Sequence, residues 1–367
     1  MKEYFKRKID IYRDFWVKYE RHISSGALLL GFIIDSLTLR RVDMFLENLV
    51  FFAYLTIAGT GILLLNLCEA GRLRGYLFER LPPFLLIAIQ FAFGGLFSGF
   101  VVFYYRSASL SVSWPFILIL AIMLVGNELF KKYYLRLSFQ MGIFFLALLG
   151  VMIYFVPLMV GQIGASVFLM SGVTALLLVT LFSQLIKKLI PIRYAASRKS
   201  LVISVGVVYA VITVFYFANI IPPIPLAAKE VRAYHSVTRT AEGYVIRKEP
   251  ARRFDFLRLS ETVHLAPGEP VYVYTSIFAP SAFESMDVVH KWEYYNSKTN
   301  RWVESSRITF TITGGRDEGY RGYSMKSAVF PGLWRVDVET LGGQRIGRAK
   351  FKVKAVDTEV QLEREVR

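Results

Sequence analysis

Residues 138–159 read SFQMGIFFLALLGVMIYFVPLM, 22 positions without a charged side chain, preceded by Lys131, Lys132 and Arg136. A bilayer core about 30 Å thick is crossed by roughly 20 largely apolar helical residues, so this stretch suits a transmembrane helix. Working outward, six more runs share its character, at about 24–39, 45–67, 81–104, 111–129, 163–186 and 201–221. Each closes on a charge, a proline or a glycine. The composition agrees: 54% of the 367 residues are hydrophobic and 15% aromatic, with a mean hydropathy of +0.42, more apolar than an ordinary soluble domain. Apolar residues crowd into 23–221, whereas 229–367 has the composition of a soluble protein. The expected architecture is a membrane all-α helical bundle of about seven transmembrane helices (24–221), a Pro-rich linker (222–228) and a C-terminal all-β, sandwich-like domain (229–367). The run 24–39 is the weakest of the seven, being short and containing Asp35. A signal peptide is its rival, but the basic region before it is long and no small-x-small cleavage pattern follows.

The formal charge of +16 raises nucleic acid as a partner, and its location argues against one. Before residue 226 stand 21 Lys and Arg against 10 Asp and Glu, mostly in short segments between apolar runs. There they set topology and meet anionic lipid headgroups. Eighteen fall on one side: seven before the first run, then Arg72, Arg74 and Arg80, then Lys131, Lys132 and Arg136, then Lys187, Lys188, Arg193, Arg198 and Lys199. Only Arg40, Arg41 and Arg106 fall on the other. Cytoplasmic loops carry the excess, so the expectation is a multi-pass inner-membrane protein with its N-terminus in the cytoplasm. With seven spans, the C-terminal domain is then periplasmic. The cytoplasmic segment 1–23 sets Phe5, Ile9, Tyr12, Trp16, Tyr19 and Ile23 on one helical face. That fits a helix lying on the cytoplasmic leaflet, or one packed on the cytoplasmic ends of the bundle.

Polar residues that stand out within the spans are Asp35, Gln90, Asn127 and Glu128, with Gln140 and Gln184 closer to the ends. Burying such groups is costly without partners, so they would mark a proton or solute path. The plainer reading is that Asp35, Asn127 and Glu128 sit near the interfaces, while the central Gln90 is an interhelical hydrogen bond. Cys68 is the sole cysteine, which excludes an intrachain disulfide and a thiolate metal cluster. His22, His235, His264 and His290 are far apart in sequence. No metal site and no cofactor are expected.

After Ile220-Ile221-Pro222-Pro223-Ile224-Pro225, the chain alternates apolar and polar residues between short turns, the pattern of a β-sandwich or barrel. Strands are expected at Tyr244–Arg247, Val271–Phe278, Val288–Tyr295, Arg307–Thr313, Trp334–Glu339 and Gly347–Lys354. The last two form a hairpin: Trp334, Val336 and Val338 face the core with Ala349, Phe351 and Val353, across the reversal Leu341-Gly342-Gly343-Gln344. Ile346 is out of phase, which predicts a bulge near Gly347. Outward Asp337 and Glu339 would then pair with Arg348, Lys350, Lys352 and Lys354 across the strands.

This hairpin, PGLWRVDVET-LGGQRIGRAKFKV, resembles the close of a bacterial family catalogued as domain of unknown function number twenty-nine fourteen. GFIIDSLTLRRVD, IIPPIPLAAK, VYVYTSIFAP, HKWEYYN and GGRDEGYRGYS resemble its multi-span members too. The resemblance implies the same architecture, a helical bundle plus an extracytoplasmic β domain, and implies no activity.

The most unusual stretch is Gly314 to Ser324, GGRDEGYRGYS. Arg316, Asp317, Tyr320, Arg321 and Tyr323 read as a flexible loop able to hold a sugar ring or an anionic envelope polymer by tyrosine stacking and arginine forks. The plainer reading pairs Arg316 and Arg321 with Asp317 and Glu318. His290 and Trp292 share a strand face, and His290 is better a satisfied core histidine than a catalytic one. Ser305 and Ser306 have no base or acid at triad spacing, so no enzyme is expected. Membrane lipids aside, the expected partner is an envelope polymer or envelope protein and no nucleic acid. The alternative is a transporter or channel running past Asp35, Gln90 and Glu128.

Overall fold

The computed structural model describes residues 32, 33, 35, 45–73, 75, 78, 80–107, 117–124, 133, 135–221, 223, 225–241, 243–250, 261–283, 285–316, 318–358 and 360–367. Five described helices are long and apolar enough to cross a membrane: α1 (Phe45–Glu69), α2 (Pro82–Ser107), α3 (Leu137–Val160), α4 (Ala165–Leu189) and α5 (Pro191–Phe217). They answer to five of the seven expected runs. Of the fourth run only 117–124 is described, as helix, and of the first only 32, 33 and 35. The N-terminal amphipathic segment lies outside the described residues. The last expected run started too late. Its helix begins at Pro191 rather than near 201, because Arg193, Arg198 and Lys199 end an apolar run without ending a helix, and proline suits a first helical turn.

The chain divides into two compact units, one comprising Met1–Phe103, Pro115–Met152 and Ser171–Val214, the other Tyr104–Trp114, Ile153–Met170 and Phe215–Arg367. Within the first, glycines are points of close approach. A Cβ on Gly95 would lie 2.5 Å from the Tyr54 ring, and one on Gly150 would lie 2.7 Å from that of Phe100. Side chains that large fit between helices only where the facing position is bare. Asn66 of α1 donates a 2.6 Å hydrogen bond to Gln140 of α3, both fully buried. Arg193 pairs with Glu69 and donates to the Leu135 carbonyl at 2.9 Å. On α5, Val202, Ile203, Val207, Val211 and Val214 are all exposed, as a face turned to lipid would be.

Among the described residues the second unit holds eleven strands in three sheets. The first sheet is ordered β1-β5-β8, from β1 (Ala227–Tyr234), β5 (Val271–Phe278) and β8 (Tyr320–Lys326). A five-stranded sheet is ordered β4-β10-β9-β6-β7, from β4 (Glu261–Leu265), β6 (Met286–Asn296), β7 (Arg301–Ile312), β9 (Gly332–Thr340) and β10 (Arg345–Ala355). A third is ordered β11-β3-β2, from β2 (Ser236–Thr240), β3 (Gly243–Lys248) and β11 (Glu363–Val366). The linker is shorter than expected, since β1 begins at Ala227.

Two of these sheets share one core. Ala233, Val271 and Val273 of the first meet Trp292, Trp334, Val336, Ala349, Phe351 and Val353 of the five-stranded sheet. At roughly 2 kcal/mol for each fully buried large apolar side chain, this cluster dominates the stability of the unit. The third sheet adds a smaller cluster, Val237 and Ile246 against Tyr234 and Tyr274. The expected hairpin is present. Its register shifts between Arg345 and Gly347, and Ile346 turns inward, fully buried. Gly347 is required at the bulge because a Cβ there would lie 2.7 Å from Val231 and 2.9 Å from Ala228.

Candidate functional site

The stretch 314–324 is not one flexible loop. Its second half is strand β8, and its glycines are fixed by contact. A Cβ on Gly314 would lie 2.0 Å from the Pro280 carbonyl oxygen. Gly319, at φ +81°, sits against Ser276 and Ile277, and Gly322 against the Phe310 ring. Because side chains alternate along a strand, β8 splits the expected site residues between two faces. Tyr320 turns towards the core, packing on the cluster around Ile277 and Ile312. The Arg316 guanidinium lies over its ring, 5.0 Å from the centroid, so this arginine's described contact is aromatic rather than acidic. Asp317 lies outside the described residues. Glu318 contributes its carbonyl, which accepts a 2.6 Å hydrogen bond from Ser276.

Arg321, Tyr323 and Met325 occupy the other face of β8, where the register sets them across from Ser276, Tyr274 and Tyr272 of β5. Tyr323 is 39% exposed. Its ring lies 5.9 Å from Tyr272 and 6.2 Å from Tyr244, and the Tyr244 hydroxyl donates to the Arg321 carbonyl at 3.1 Å. Below them Tyr274 is buried, and burial pushes its phenol up to about 12. The outcome is an aromatic platform with Arg321 at its rim and the buried phenol of Tyr274 beneath. Tyr244 and Tyr272 escaped the sequence reading. Both lie in expected strands, and only the packing of the third sheet on the first brings them beside Tyr323.

The interior site at His290 is closed. His290 is fully buried, and burial drives its pKa down to about 3. Trp292 Nε1 donates to Ser324 Oγ at 3.0 Å, and Ser324 lies 2.7 Å from His290 Nδ1. Thr275 lies 3.3 Å from His290 Nε2 and donates to the Gly322 carbonyl, also at 3.3 Å. These bonds are mutually consistent for a neutral imidazole protonated at Nε2, with Ser324 donating to Nδ1. This is the satisfied core histidine expected from the sequence. Elsewhere, Glu249 accepts from the His264 backbone N–H at 2.7 Å, and lies 2.8 Å from His264 Nδ1 and 3.1 Å from His235 Nε2. Burial alone would raise its pKa, but those hydrogen bonds hold it below the usual carboxylate range.

A second polar surface covers the outer face of the five-stranded sheet. One row across its strands runs Lys350, Arg335, Glu293, Glu304, and the next runs Arg348, Asp337, Lys291, Arg307. Arg348 and Arg345 both bind Asp337, with Arg348 Nη2 to Asp337 Oδ2 at 2.6 Å. Arg335 donates to Glu293 at 2.6 Å while stacking 4.4 Å over Trp302. The expected cross-strand pairing of Asp337 is present, but Asp337 is not a surface group. Its side chain is 1% exposed, against 19% for Arg348 and 21% for Arg345. Burial would raise the Asp337 pKa, yet the two guanidiniums hold it low. Glu339 is also buried, which raises its pKa.

Of the intramembrane candidates, Asp35 lies beside Ser98 and Gln90 is half-buried on α2. Asn127 and Glu128 lie outside the described residues. Among the described polar pairs within the bundle are Asn66 with Gln140 and Ser183 with Tyr194. Asn66 was overlooked because it closes an apolar run, and its partner is 74 positions away.

No curated protein matches the chain. Among solved structures, the Pseudomonas fluorescens alkylpurine DNA glycosylase AlkC bound to DNA containing an abasic site analog is similar at 11% identity. That likeness covers 86% of this chain and 99% of the other, but its TM-score of 0.22 carries no argument about fold or function. A family match does bear on the β-rich unit. It includes HKWEYYN, GGRDEGYRGYS and the closing hairpin, and leaves GFIIDSLTLRRVD, IIPPIPLAAK and VYVYTSIFAP outside it. Residues 285–353, from β6 through most of β10, match the family described as Protein of unknown function (DUF2914), so the chain carries this C-terminal domain of unknown function, with no established activity.

Proposed function

We propose that the chain is a multi-pass inner-membrane protein whose C-terminal, sandwich-like domain recognises an envelope component outside the cytoplasm. The observation that carries this reading is the platform of Tyr323, Tyr272 and Tyr244 beside Arg321, with Tyr323 39% exposed. Stacked phenols with a charged rim suit a sugar ring bearing an anionic group, since ring faces supply area and the guanidinium supplies a directional donor. The role is recognition rather than catalysis. Both nitrogens of the buried His290 are engaged within the core, and the closest carboxylate–imidazole set, around Glu249, is joined by its own hydrogen bonds. The helices serve as the anchor.

Binding of the full chain in detergent micelles to immobilised peptidoglycan fragments and envelope oligosaccharides tests this. Tyr323→Ala, which removes the exposed ring, should weaken capture by roughly tenfold, on the scale of 1–2 kcal/mol for a lost aromatic contact. Tyr323→Phe should retain most of it. Capture indifferent to Tyr323→Ala and to Arg321→Ala would remove the platform from the reading.

A further inference from the structure

Strand β10 presents four bases at alternate positions on the outer face of the five-stranded sheet: Arg348, Lys350, Lys352 and Lys354. The three lysines are exposed. Across from them stand Arg335 for Lys350, Leu333 and Thr262 for Lys352, and His264 for Lys354. None is a carboxylate. Asp337, across from Arg348, and Glu293, on β6, are sunk beneath their arginines with side chains 1% and 6% exposed, and Glu304, 42% exposed, lies three strands away on β7, bound by Arg307. Along β10, carboxylates sunk against the sheet under guanidiniums leave the outermost layer basic.

Two strand residues advance about 6.6–6.8 Å, so the four bases form a straight track roughly 20 Å long. A single small anion is held by donors converging on one point. A straight row of separated cations instead matches a linear polymer with repeated anionic groups. The aromatic rings of the same face, Tyr295 and Trp302, belong to β6 and β7, two and three strands from β10. They pack on one another, and Trp302 lies under Arg335. The track therefore lacks the open stacking rings that single-stranded nucleic acid uses. We propose that the β10 face is a docking track for a linear anionic polysaccharide, separate from the tyrosine platform on the first sheet.

The test uses the full-length chain in detergent micelles and polygalacturonate as the probe, titrated at about 50 and 200 mM salt. Lys350→Gln/Lys352→Gln/Lys354→Gln keeps side-chain length and removes three charges. It should weaken binding by about tenfold at the lower salt and flatten the salt dependence by up to three contacts. A control with three exposed bases removed elsewhere in the same unit, Arg239→Gln/Lys298→Gln/Arg301→Gln, should stay within about twofold. Native tryptophan fluorescence in both variants establishes that each is folded. Equal losses in the two triple variants would reduce the effect to general cationic attraction and overturn the track, as would no loss in either. A single-stranded oligonucleotide or anionic vesicles bound more tightly than the polyuronate, with the same lysine dependence, would overturn the partner. The two surfaces are separated by repeating the lysine triple in a Tyr323→Ala background, where it should cost the same roughly tenfold as in the native chain; a lysine effect that vanishes once Tyr323 is gone would overturn the track.

Discussion

A single imidazole sets a pH limit on the β-rich unit. His290 has a folded-state pKa of about 3, below the ordinary value near 6.5 for an unfolded chain. Between those values the unfolded chain takes up a proton that the native core refuses, so native stability falls as acidity rises. The contribution is whole above about pH 6.5 and is lost progressively towards pH 3, at up to about 1.4 kcal/mol per pH unit. The paired carboxylates act lower. Asp337 and Glu249, both held below their usual range by their partners, weaken the fold only as pH falls past the ordinary carboxylate values near 4. Between pH 6.5 and 4.5 His290 lowers stability as acid is added, while buried Glu339, whose pKa is raised, acts in the opposite sense. The buried fluorophores Trp292 and Trp334 report unfolding of this unit. Thermal midpoints followed through them at pH 7.5, 6.5, 5.5 and 4.5 should drop steadily for the native chain. In His290→Gln, less stable at neutral pH, that downward slope should be lost across the window. An unchanged slope in the variant would assign the acid sensitivity to another group.

At the scale of elements, the hairpin of β9 and β10 shows what alternation can and cannot carry. One face of the hairpin is core, so a period of two marks Trp334, Val336, Val338, Ala349, Phe351 and Val353 unambiguously, and the phase slip at Ile346 marks the bulge. The bulge also makes a prediction. A Cβ on Gly347 would press on Val231 at 2.7 Å, so Gly347→Ala should cost about 1–3 kcal/mol. Val231→Ala opens space at that contact, and the double variant should be more stable than the sum of the two losses by at least about 0.5 kcal/mol. Strict additivity in denaturation midpoints would mean that the two side chains are not in contact. Other elements were less legible for identifiable reasons. Gly319, just before β8, and Gly322 within it suppress a strand signature, though Gly322 is there because the Phe310 ring occupies the space of its side chain. Asp337 reads as a surface acid from its phase alone. That Arg345 and Arg348 fold over it from the neighbouring strand is a property of register and long side chains, and no local pattern shows it. Residues of the tyrosine platform come from β3, β5 and β8, so only the stacking of sheets assembles them.

For the whole molecule, the distribution of bases makes the sharpest statement. Five of them, Lys187, Lys188, Arg193, Arg198 and Lys199, sit where α4 ends and α5 begins, separated by Ile190 alone. The turn between α3 and α4, Gly161 to Gly164, carries none. Arg193 joins the end of α1, through Glu69, to the approach to α3, through Leu135. The helix ends that the charge count assigns to one side are thus in contact with one another. An odd number of crossings between the end of α1 and the start of α5 would break that contact; which side these ends occupy rests on the charge count alone. If the N-terminus is cytoplasmic and seven spans precede β1, alkaline phosphatase fused after Arg367 should be active and a cytoplasmic reporter at the same point silent. Fusions at Arg72 and Arg198 should give the reverse pattern. A silent phosphatase after Arg367, with the two internal fusions as expected, would mean that the final span does not cross. It would place the tyrosine platform and the β10 track on the cytoplasmic side, where envelope polymers do not reach them.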